Sequence, residues 1–275
     1  MRIIIRGQAY LVNPNKNQKY WDYINSGAWE KETFDAIDSF IEKDGIAIDI
    51  GAWAGPISLY LAKNCKNVFS IEPDPFIFPD LANNCDLNPT LSVRPFNEAI
   101  SDKTERTNLN ARKNYGESSS SLLSRAYDEL NSEMISTTTL EDFIKANSIG
   151  SVSFIKIDTE GSEFIFLKTW SKILNETKYP TLLISFHINQ LEESILLKKY
   201  KFKLLAKLLL KISRRFSFLI PKKEIINELR EIDSVLSKYK NCYCLSGQRI
   251  NFSDLSNNPK SIKNNSFIFS NKAWN

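Results

Sequence analysis

Three acidic residues and the only histidine of the chain stand at the ends of apolar segments. Asp49, Glu72, Asp158 and His187 each close or directly follow a strand-length run rich in apolar and β-branched residues. Such runs predict buried strands, and open α/β sheets bind ligands at the carboxyl ends of their strands. We therefore expect these four side chains to meet in one crevice. The carboxylates would attract a cationic ligand there, and the imidazole could transfer a proton.

The residues after Asp49 predict a tight turn into a helix. Gly51 and Gly55 stand four positions apart, and glycine allows positive φ and a close approach of a ligand to free N–H groups at the helix start. The spacing fits neither the dinucleotide motif nor the phosphate loop. Because an acid opens the turn, S-adenosylmethionine, with its sulfonium and ammonium groups, fits better than a pyrophosphate. The alternative is that the glycines only let a strand turn into a closely packed helix.

Two later segments could complete a nucleoside site. Glu72 follows Asp49 by 23 residues, close to the spacing of about 20 at which a second strand presents a carboxylate to ribose hydroxyls. The alternative for Glu72 is a solvated turn acid. A third strand and its turn are predicted over 93–102. At this turn Asn97 or Glu98 could bond the adenine amine, and Ala99 could pack on the ring.

Composition is that of an ordinary globular protein able to bury a full core. The chain has 275 residues, of which 42% are hydrophobic and 25% charged. Its four cysteines lack C-x-x-C spacing, which indicates neither a zinc cluster nor a thioredoxin-like motif. The first residues contain too short an apolar run for a signal peptide, and nowhere do 18 apolar residues run together, so we expect a soluble, cytoplasmic protein. No nucleic-acid partner is expected.

The positive charge is concentrated in one segment. Residues 190–223 hold ten Lys or Arg and two Glu, a balance of +8, so the rest of the chain sums to −4 to give the net +4. Helical spacing of apolar residues predicts a basic amphipathic helix from Gln190 to about Phe216, a break at Pro221 and a second helix over 222–239. Either these helices pack on the core with a solvated lysine face, or they contact an anionic substrate or membrane surface.

The predicted elements divide the chain into four parts. Residues 106–131 are polar and are interpreted either as a mobile loop that borders the site or as a surface excursion. The aromatic residues before residue 35 either cover the ligand or belong to the core. The parts are an N-terminal extension and helix at 1–44, a cofactor-binding core at 45–189, a basic helical insertion at 190–240 and closing strands, a hairpin-like pair at the sheet edge, at 241–275.

Five segments, in their order, resemble the FkbM-type methyltransferases. They are WE at 29–30, DIGAWAGP at 49–56, IEPDP at 71–75, NEAISD at 97–102 and IKIDTEGSE at 155–163. The resemblance spans about residues 20–188 and the closing strands. It implies an α/β fold of class I methyltransferase (Rossmann-like) type, with a seven-stranded mixed sheet, helices on both faces and, in this chain, a helical insertion before the last two strands.

The resemblance also implies a cofactor and site residues. The cofactor is S-adenosylmethionine, and the usual reaction is O-methylation of a sugar, glycan or natural-product hydroxyl. Asp49, Gly51 and Gly55 would hold the amino-acid half of the cofactor, Glu72 its ribose, and Asp158 would lie beside the transferred methyl. Ala52, Trp53 and Asp74 belong to the same motifs and are predicted to bind the cofactor too. The segment 190–239 is not part of the shared pattern.

The expected chemistry is in-line displacement by a hydroxyl, which must lose its proton. His187 or Asp158 would take that proton, and Glu160 or Lys156 would orient them. A divalent metal held by Asp158 and neighbouring oxygens could instead acidify the hydroxyl, although no ligand spacing establishes one. His187 could also be a solvent-facing residue at a strand end.

Two other functions fit parts of the sequence. One is a nicotinamide-dependent oxidoreductase, which the missing third glycine and Asp49 disfavour. The other is a non-catalytic binding module that docks on a membrane or polyanion through residues 190–223. Both activities would coexist in a methyltransferase that works on lipid-linked glycans at the inner face of a membrane.

Overall fold

A computed structural model describes residues 1–112, 114–128, 132–213, 222–262 and 265–274. The strands are β1 Arg2–Ile5, β2 Gln8–Leu11, β3 Ile46–Ile50, β4 Asn67–Ile71, β5 Val93–Phe96, β6 Ala99–Ile100, β7 Glu105–Leu109, β8 Glu133–Thr138, β9 Val152–Ile157, β10 Thr181–Ser185, β11 Asn241–Cys244, β12 Arg249–Ile250 and β13 Ser266–Ser270. The helices are α1 Gln18–Asn25, α2 Lys31–Phe40, α3 Pro56–Asn64, α4 Phe78–Asp86, α5 Leu140–Ala146, α6 Glu163–Phe166, α7 Ser171–Glu176, α8 Ile188–Tyr200, α9 Lys203–Ser213, α10 Lys222–Leu236, α11 Phe252–Ser256 and α12 Pro259–Ile262.

The main sheet has eight strands in the order β12-β11-β13-β10-β9-β3-β4-β5. Strands β10, β9, β3, β4 and β5 run parallel, whereas β13 is antiparallel to both β10 and β11. The mixed α/β fold is thus confirmed. The sheet has one strand more than expected because the two-residue β12 adds to the edge of β11. The two closing strands do pair, but β13 is inserted between β10 and β11 and does not lie at the edge.

Helices cover both faces of the sheet, as expected. Neighbouring residues of one strand point to opposite faces, so Ala47 and Phe154 pack on one side and Ile48 and Ile155 on the other. The first side is covered by α1, α2 and α3, and the second by α5, α6, α7 and α10. Burial on both faces explains why the parallel strands are apolar nearly throughout.

The segment 93–102, predicted as a third strand and its turn, is divided between two sheets. β5 pairs with β4, and the chain then turns at Asn97 so that β6 joins a small sheet with β8 and β7. The Asn97 side chain donates from Nδ2 to the Glu72 carbonyl at 2.9 Å. This bond holds the turn in which the chain leaves the main sheet.

The basic insertion is also divided. The helix predicted from Gln190 to Phe216 is two helices, α8 and α9, because Lys201 takes a left-handed conformation with φ of 57°. Phe216 and Pro221 lie outside the described residues. The predicted apolar face of α10 is buried in the core beneath the sheet. Nowhere in the described ranges is there a helix with the length and apolar character needed to span a bilayer.

Candidate functional site

A cavity of about 400 Å³ lies at the carboxyl ends of β3, β4, β9 and β10. This volume lies within the range of small-molecule sites. Nine predicted site residues line it, namely Gly51, Ala52, Trp53, Glu72, Ala99, Lys156, Asp158, Glu160 and His187. Five do not appear in its wall, namely Asp49, Gly55, Asp74, Asn97 and Glu98.

The turn after β3 passes unusually close to the end of β9. The Asp158 amide donates to the Ile50 carbonyl at 2.9 Å, which draws the two strand ends together. Gly51 has a φ of 82°, and a Cβ there would lie 1.9 Å from the Asp158 carbonyl oxygen. Glycine is therefore required at position 51 both by conformation and by space.

The backbone amides of the turn are already engaged. Gly51 and Ala52 donate to the Ile71 carbonyl at 2.9 and 3.1 Å, and Trp53 donates to Glu72 Oε2 at 2.8 Å. These three N–H groups precede α3 and are distinct from the free N–H groups expected at its start. They instead tie the turn to the end of β4.

Asp49 supports the pocket from below. It has no exposed surface, accepts a hydrogen bond of 2.6 Å from Ser58 Oγ, and faces Lys156 directly across the β3–β9 pairing. Lys156 Nζ lies 3.4 Å from Asp49 Oδ1 and 3.7 Å from Asp158 Oδ2, and it donates to the Gly51 carbonyl at 3.1 Å. The predicted direct contact of Asp49 with a cofactor is therefore corrected, because α3 and Lys156 enclose this carboxylate.

Burial and charge act against each other in this pair. Burial raises the pKa of Asp49, and Lys156 and the Ser58 hydroxyl oppose that shift. Burial lowers the pKa of Lys156, but Asp49, Asp158 and Glu30 raise it by more, so the ammonium keeps its proton.

Glu72 lines the pocket as a nearly enclosed carboxylate. Its two oxygens accept from the Trp53 amide at 2.8 Å and from the Asp74 amide at 2.9 Å. Burial raises the pKa of Glu72 to about 7, against the effect of these two bonds. The carboxylate is held in one orientation.

Three predicted cofactor ligands lie outside the cavity wall, and two of them, Asp74 and Asn97, support it. Asp74 is buried and accepts from the Gly116 amide at 2.7 Å and from Ser120 Oγ at 2.9 Å. It thereby fastens residues 117–122, several of which form one wall of the cavity. Asn97 bonds the chain at Glu72, and Glu98 is half-buried beside it. Neither lines the cavity, and their adenine contacts stay predictions.

Gly55, another predicted cofactor ligand, also lies outside the cavity wall. It precedes α3 in a left-handed conformation, and a Cβ there would lie 2.8 Å from Leu81 Cδ1. Its function is to let α3 begin close against α4, away from the cavity wall.

His187 lies among three carboxylates. Its Nε2 is 3.4 Å from Asp158 Oδ1 and 3.7 Å from Glu160 Oε1, and its Nδ1 is 3.2 Å from Glu163 Oε1. Burial lowers the pKa of His187, but Glu163, Asp158 and Glu160 together raise it to about 10. The side chain is an imidazolium at neutral pH. In this state it cannot accept a proton, which corrects its predicted role as a base in the free protein.

The same cluster is the one that could hold a metal among the described residues. Ligand atoms of Asp158, Glu160 and His187 all lie within 4.8 Å of one another. A metal-bound imidazole must be unprotonated. A divalent cation could therefore enter only in exchange for the His187 proton.

The N-terminal part contributes residues that sequence reasoning missed as ligand contacts. Tyr20, Trp29 and Glu30 line the cavity. Trp53 packs against Tyr20 with ring centroids 5.2 Å apart, which links the turn to α1. The advance signals were the aromatic residues before residue 35, for which a covering role was one of two interpretations, and the WE pair at 29–30 in the family resemblance.

The solved structures described next are distantly similar to this chain. A precorrin 8W decarboxylase from Methanobacterium thermoautotrophicum is 14% identical, over 57% of this chain and 62% of its own, with a TM-score of 0.33. A tRNA (uracil-54, C5)-methyltransferase from Pyrococcus abyssi, in complex with S-adenosyl-L-homocysteine, is 15% identical over 68% and 34%, with a TM-score of 0.37. A ribosomal protein L11 methylase from Lactobacillus delbrueckii subsp. bulgaricus is 10% identical over 88% and 77%, with a TM-score of 0.40.

The chain thus spans less than two thirds of the length of the first two of these proteins. No curated protein matches the sequence significantly. The profile of the Methyltransferase FkbM domain matches residues 46–218. That match covers more than half of the chain, and the chain therefore belongs to the FkbM methyltransferase family.

Proposed function

We propose that the protein is an S-adenosylmethionine-dependent methyltransferase that O-methylates a hydroxyl of a sugar, glycan or natural product. The observation that carries the proposal is the charge of the cavity wall. Five carboxylates line it against two cationic side chains, Lys156 and His187, in the described residues; the carboxylates are those of Glu30, Glu72, Glu117, Asp158 and Glu160. A cofactor with a sulfonium and an ammonium group would offset this excess of negative charge.

The cofactor would lie across the strand ends. Glu72, held in one orientation by two amides, would accept from the ribose hydroxyls, and Ala99 and Ile100 would pack on the adenine. The sulfonium would then lie near Gly51 and Asp158, where the ends of β3 and β9 meet.

The methyl group would pass in line from sulfur to the acceptor oxygen. The S–CH₃ bond breaks as the O–CH₃ bond forms, the cofactor leaves as a neutral thioether, and the hydroxyl proton goes to a carboxylate. Glu160 suits this role because burial raises its pKa and thereby makes it a stronger proton acceptor. The His187 imidazolium would hold Asp158 and Glu160 in place.

A hydroxylated acceptor is supported by the polarity of the wall. Hydroxyl side chains also line the cavity, namely those of Ser118, Ser120, Ser121, Ser162, Ser185 and Ser266. Such groups can both donate to and accept from sugar hydroxyls.

The test is transfer of a labelled methyl group from S-adenosylmethionine to a cell-envelope glycan fraction, followed by mass spectrometry. We expect label on a hydroxyl oxygen, and its loss in a Glu72→Gln variant but not in Glu141→Gln, which changes a partly exposed carboxylate on α5 that does not line the cavity. Failure of the protein to bind either the methyl donor or its thioether product would overturn the proposal.

We also propose that α9 binds the surface of an anionic membrane. One side of this helix packs on the protein through Ala206 and Leu210, which are buried. Leu204 and Leu208, by contrast, are 83% and 52% exposed, and Phe202 just before the helix is 71% exposed. Exposed apolar side chains flanked by lysines are typical of helices that lie in the membrane interface; the lysines are Lys201, Lys203, Lys207 and Lys211.

Vesicle sedimentation tests this second proposal. The protein should bind phosphatidylglycerol vesicles at low salt, release at high salt, and bind phosphatidylcholine vesicles weakly. A Leu204→Ser, Leu208→Ser variant should lose binding, whereas Met134→Ser, which changes a 54% exposed side chain on β8, should retain it. Equal binding by both variants would contradict a role for α9.

A further inference from the structure

We infer that Gln190, in the first turn of α8, is a positioning residue that orients Glu160 to take the proton of the acceptor hydroxyl. This inference rests on the proposed function, in which Glu160 is the proton acceptor, and extends it to a residue that does not line the cavity. The start of α8 thereby gains a function in the site, although its residues from 190 onward lie outside the motifs of the family resemblance.

Gln190 donates the one hydrogen bond that the Glu160 side chain accepts within the described ranges. Its Nε2 lies 2.8 Å from Glu160 Oε2. The other carboxylate oxygen, Oε1, is 3.7 Å from His187 Nε2, which is beyond the usual length of a hydrogen bond. His187 therefore attracts the carboxylate, whereas Gln190 fixes its rotation. Oε1 is left without a hydrogen bond, and it is the oxygen that would take the proton.

Stability alone does not explain a glutamine at position 190. The residue is buried, with 9% of its surface exposed, and its amide oxygen has no hydrogen-bond partner in the part of the chain that the structure describes. A buried polar atom without a partner destabilises a fold, and an apolar side chain of similar length would not carry that penalty. The bond from the amide nitrogen to Glu160 accounts for the residue instead.

The backbone brings α8 close to the turn that carries Glu160. Glu160 has a left-handed φ of 53°, a strained conformation for a residue with a side chain, and Gly161 follows with φ of 102°. A Cβ at Gly161 would lie 2.8 Å from Gln190 Cβ, so only glycine lets the helix approach this closely. Farther along α8, Glu193 binds Arg112 through two hydrogen bonds of 2.9 and 3.3 Å, which help to hold the helix in place.

The same hydrogen bond affects the charge of Glu160. Burial raises the pKa of Glu160, whereas the charge of His187 and the bond from Gln190 lower it. A donor that bonds the ionised carboxylate favours that form. Without Gln190 the pKa of Glu160 should therefore rise further, and more of the carboxylate would be protonated and unable to accept a proton.

The first experiment measures turnover against pH in a Gln190→Met variant, which keeps the length of the side chain and lacks the donor. In transfer of labelled methyl to the cell-envelope glycan fraction, turnover near neutral pH should fall about 10-fold, the effect of one lost hydrogen bond to a charged group. The acid limb of the profile should move up by about one pH unit. Affinity for S-adenosylhomocysteine, the thioether product, should change less than about twofold, because Gln190 does not line the cavity. Ser194→Ala, a buried control one turn along α8, should keep the turnover and the profile of the wild type.

A double-mutant cycle separates positioning from structural support. In protein that carries Glu160→Gln, the further change Gln190→Met should alter turnover less than about twofold, because no carboxylate remains to be oriented. Equal losses with and without Glu160→Gln would overturn the inference, since Gln190 would then act on the structure of the site in general.

The remaining results distinguish the inference from the function on which it rests. Wild-type turnover and an unshifted pH profile, in a Gln190→Met variant that binds S-adenosylhomocysteine, would refute the positioning role and leave the proposed function intact. If Gln190→Met does not bind this thioether, Gln190→Asn takes its place, because its shorter side chain carries the amide farther from Glu160. A wild type that binds neither the methyl donor nor the thioether would instead refute the proposed function.

Discussion

Nδ1 of His187 lies 3.2 Å from Oε1 of Glu163, a carboxylate with no exposed surface. The same oxygen accepts from the His187 amide at 2.8 Å, while the other oxygen accepts from Thr159 Oγ1 and the Gly161 amide. Glu163 therefore fixes both the backbone and the ring of His187. It also contributes most to keeping the imidazole charged against the effect of burial.

The protonation of His187 can be measured directly, because the chain contains no other histidine. In the folded protein labelled with ¹³C-histidine, the imidazole signal should titrate well above pH 6.5, near the pKa of about 10. Glu163→Gln removes the largest favourable charge and should lower this pKa by about one unit or more. Glu176→Gln, on the exposed end of α7, should leave it unchanged. Titration of the wild type near pH 6.5 would contradict the cluster described above.

The raised pKa of His187 also predicts how stability depends on pH. Between pH 6.5 and about 10 the folded state binds one proton that the unfolded state lacks, so the free energy of unfolding falls as pH rises. The contribution is fully present below pH 6.5 and lost above about pH 10. Urea unfolding of the wild type and of His187→Gln should show a stability difference that shrinks across this window, by at most about 1.4 kcal/mol per pH unit. A stability difference between the two proteins that does not change with pH would contradict the raised pKa of His187.

Breaking the buried ion pair of Asp49 and Lys156 beneath the cavity should destabilise the protein strongly. Lys156→Met leaves Asp49 enclosed without its counter-charge and should lower the free energy of unfolding by about 3–5 kcal/mol. The double variant Lys156→Met, Asp49→Asn should recover much of that loss, because no lone buried charge remains. Lys172→Met breaks an ion pair in which the lysine is 67% exposed and should cost less than about 1 kcal/mol. A loss in Lys156→Met no greater than in Lys172→Met would show that Asp49 is not ionised.

Glu160 should matter for turnover more than for cofactor binding. Replacing it by Gln removes the proton acceptor, and turnover should fall about 10²- to 10⁴-fold while the affinity for S-adenosylhomocysteine changes little. Repeating the assay with EDTA separates this mechanism from one with a metal held by Asp158, Glu160 and His187, since chelation should have no effect on a carboxylate base. Loss of wild-type activity in EDTA, with recovery on adding Mg²⁺, would favour the metal instead.

Local patterns in the sequence were informative about elements. Apolar runs predicted the parallel strands, and the 3.6-residue spacing in α10 predicted the buried face formed by Ile225, Leu229, Ile232 and Leu236. Thr139 was predicted to cap α5, and its Oγ1 accepts from the Asp142 amide at 3.1 Å. These features depend on residues a few positions apart. The break at Lys201 between α8 and α9 was missed because the apolar spacing continues across it.

What the sequence by itself determined was the set of groups at one edge of the sheet. Asp49, Glu72, Asp158 and His187 stand at the ends of predicted strands in the sequence. Parallel pairing of those strands brings their carboxyl ends to one edge of the sheet. The family also followed from the order of the motifs and is confirmed by the match to residues 46–218.

Only the tertiary structure decided which of these groups face the cavity and in what charge state. Asp49 and Lys156 are 107 residues apart but adjacent across two strands, so the sequence did not show that one would cover and neutralise the other. In the same way, three carboxylates from a separate segment keep His187 protonated, and Glu30 reaches the cavity from outside the core. Burial and charge act through space, and a pKa therefore depends on neighbours that distance along the chain does not reveal.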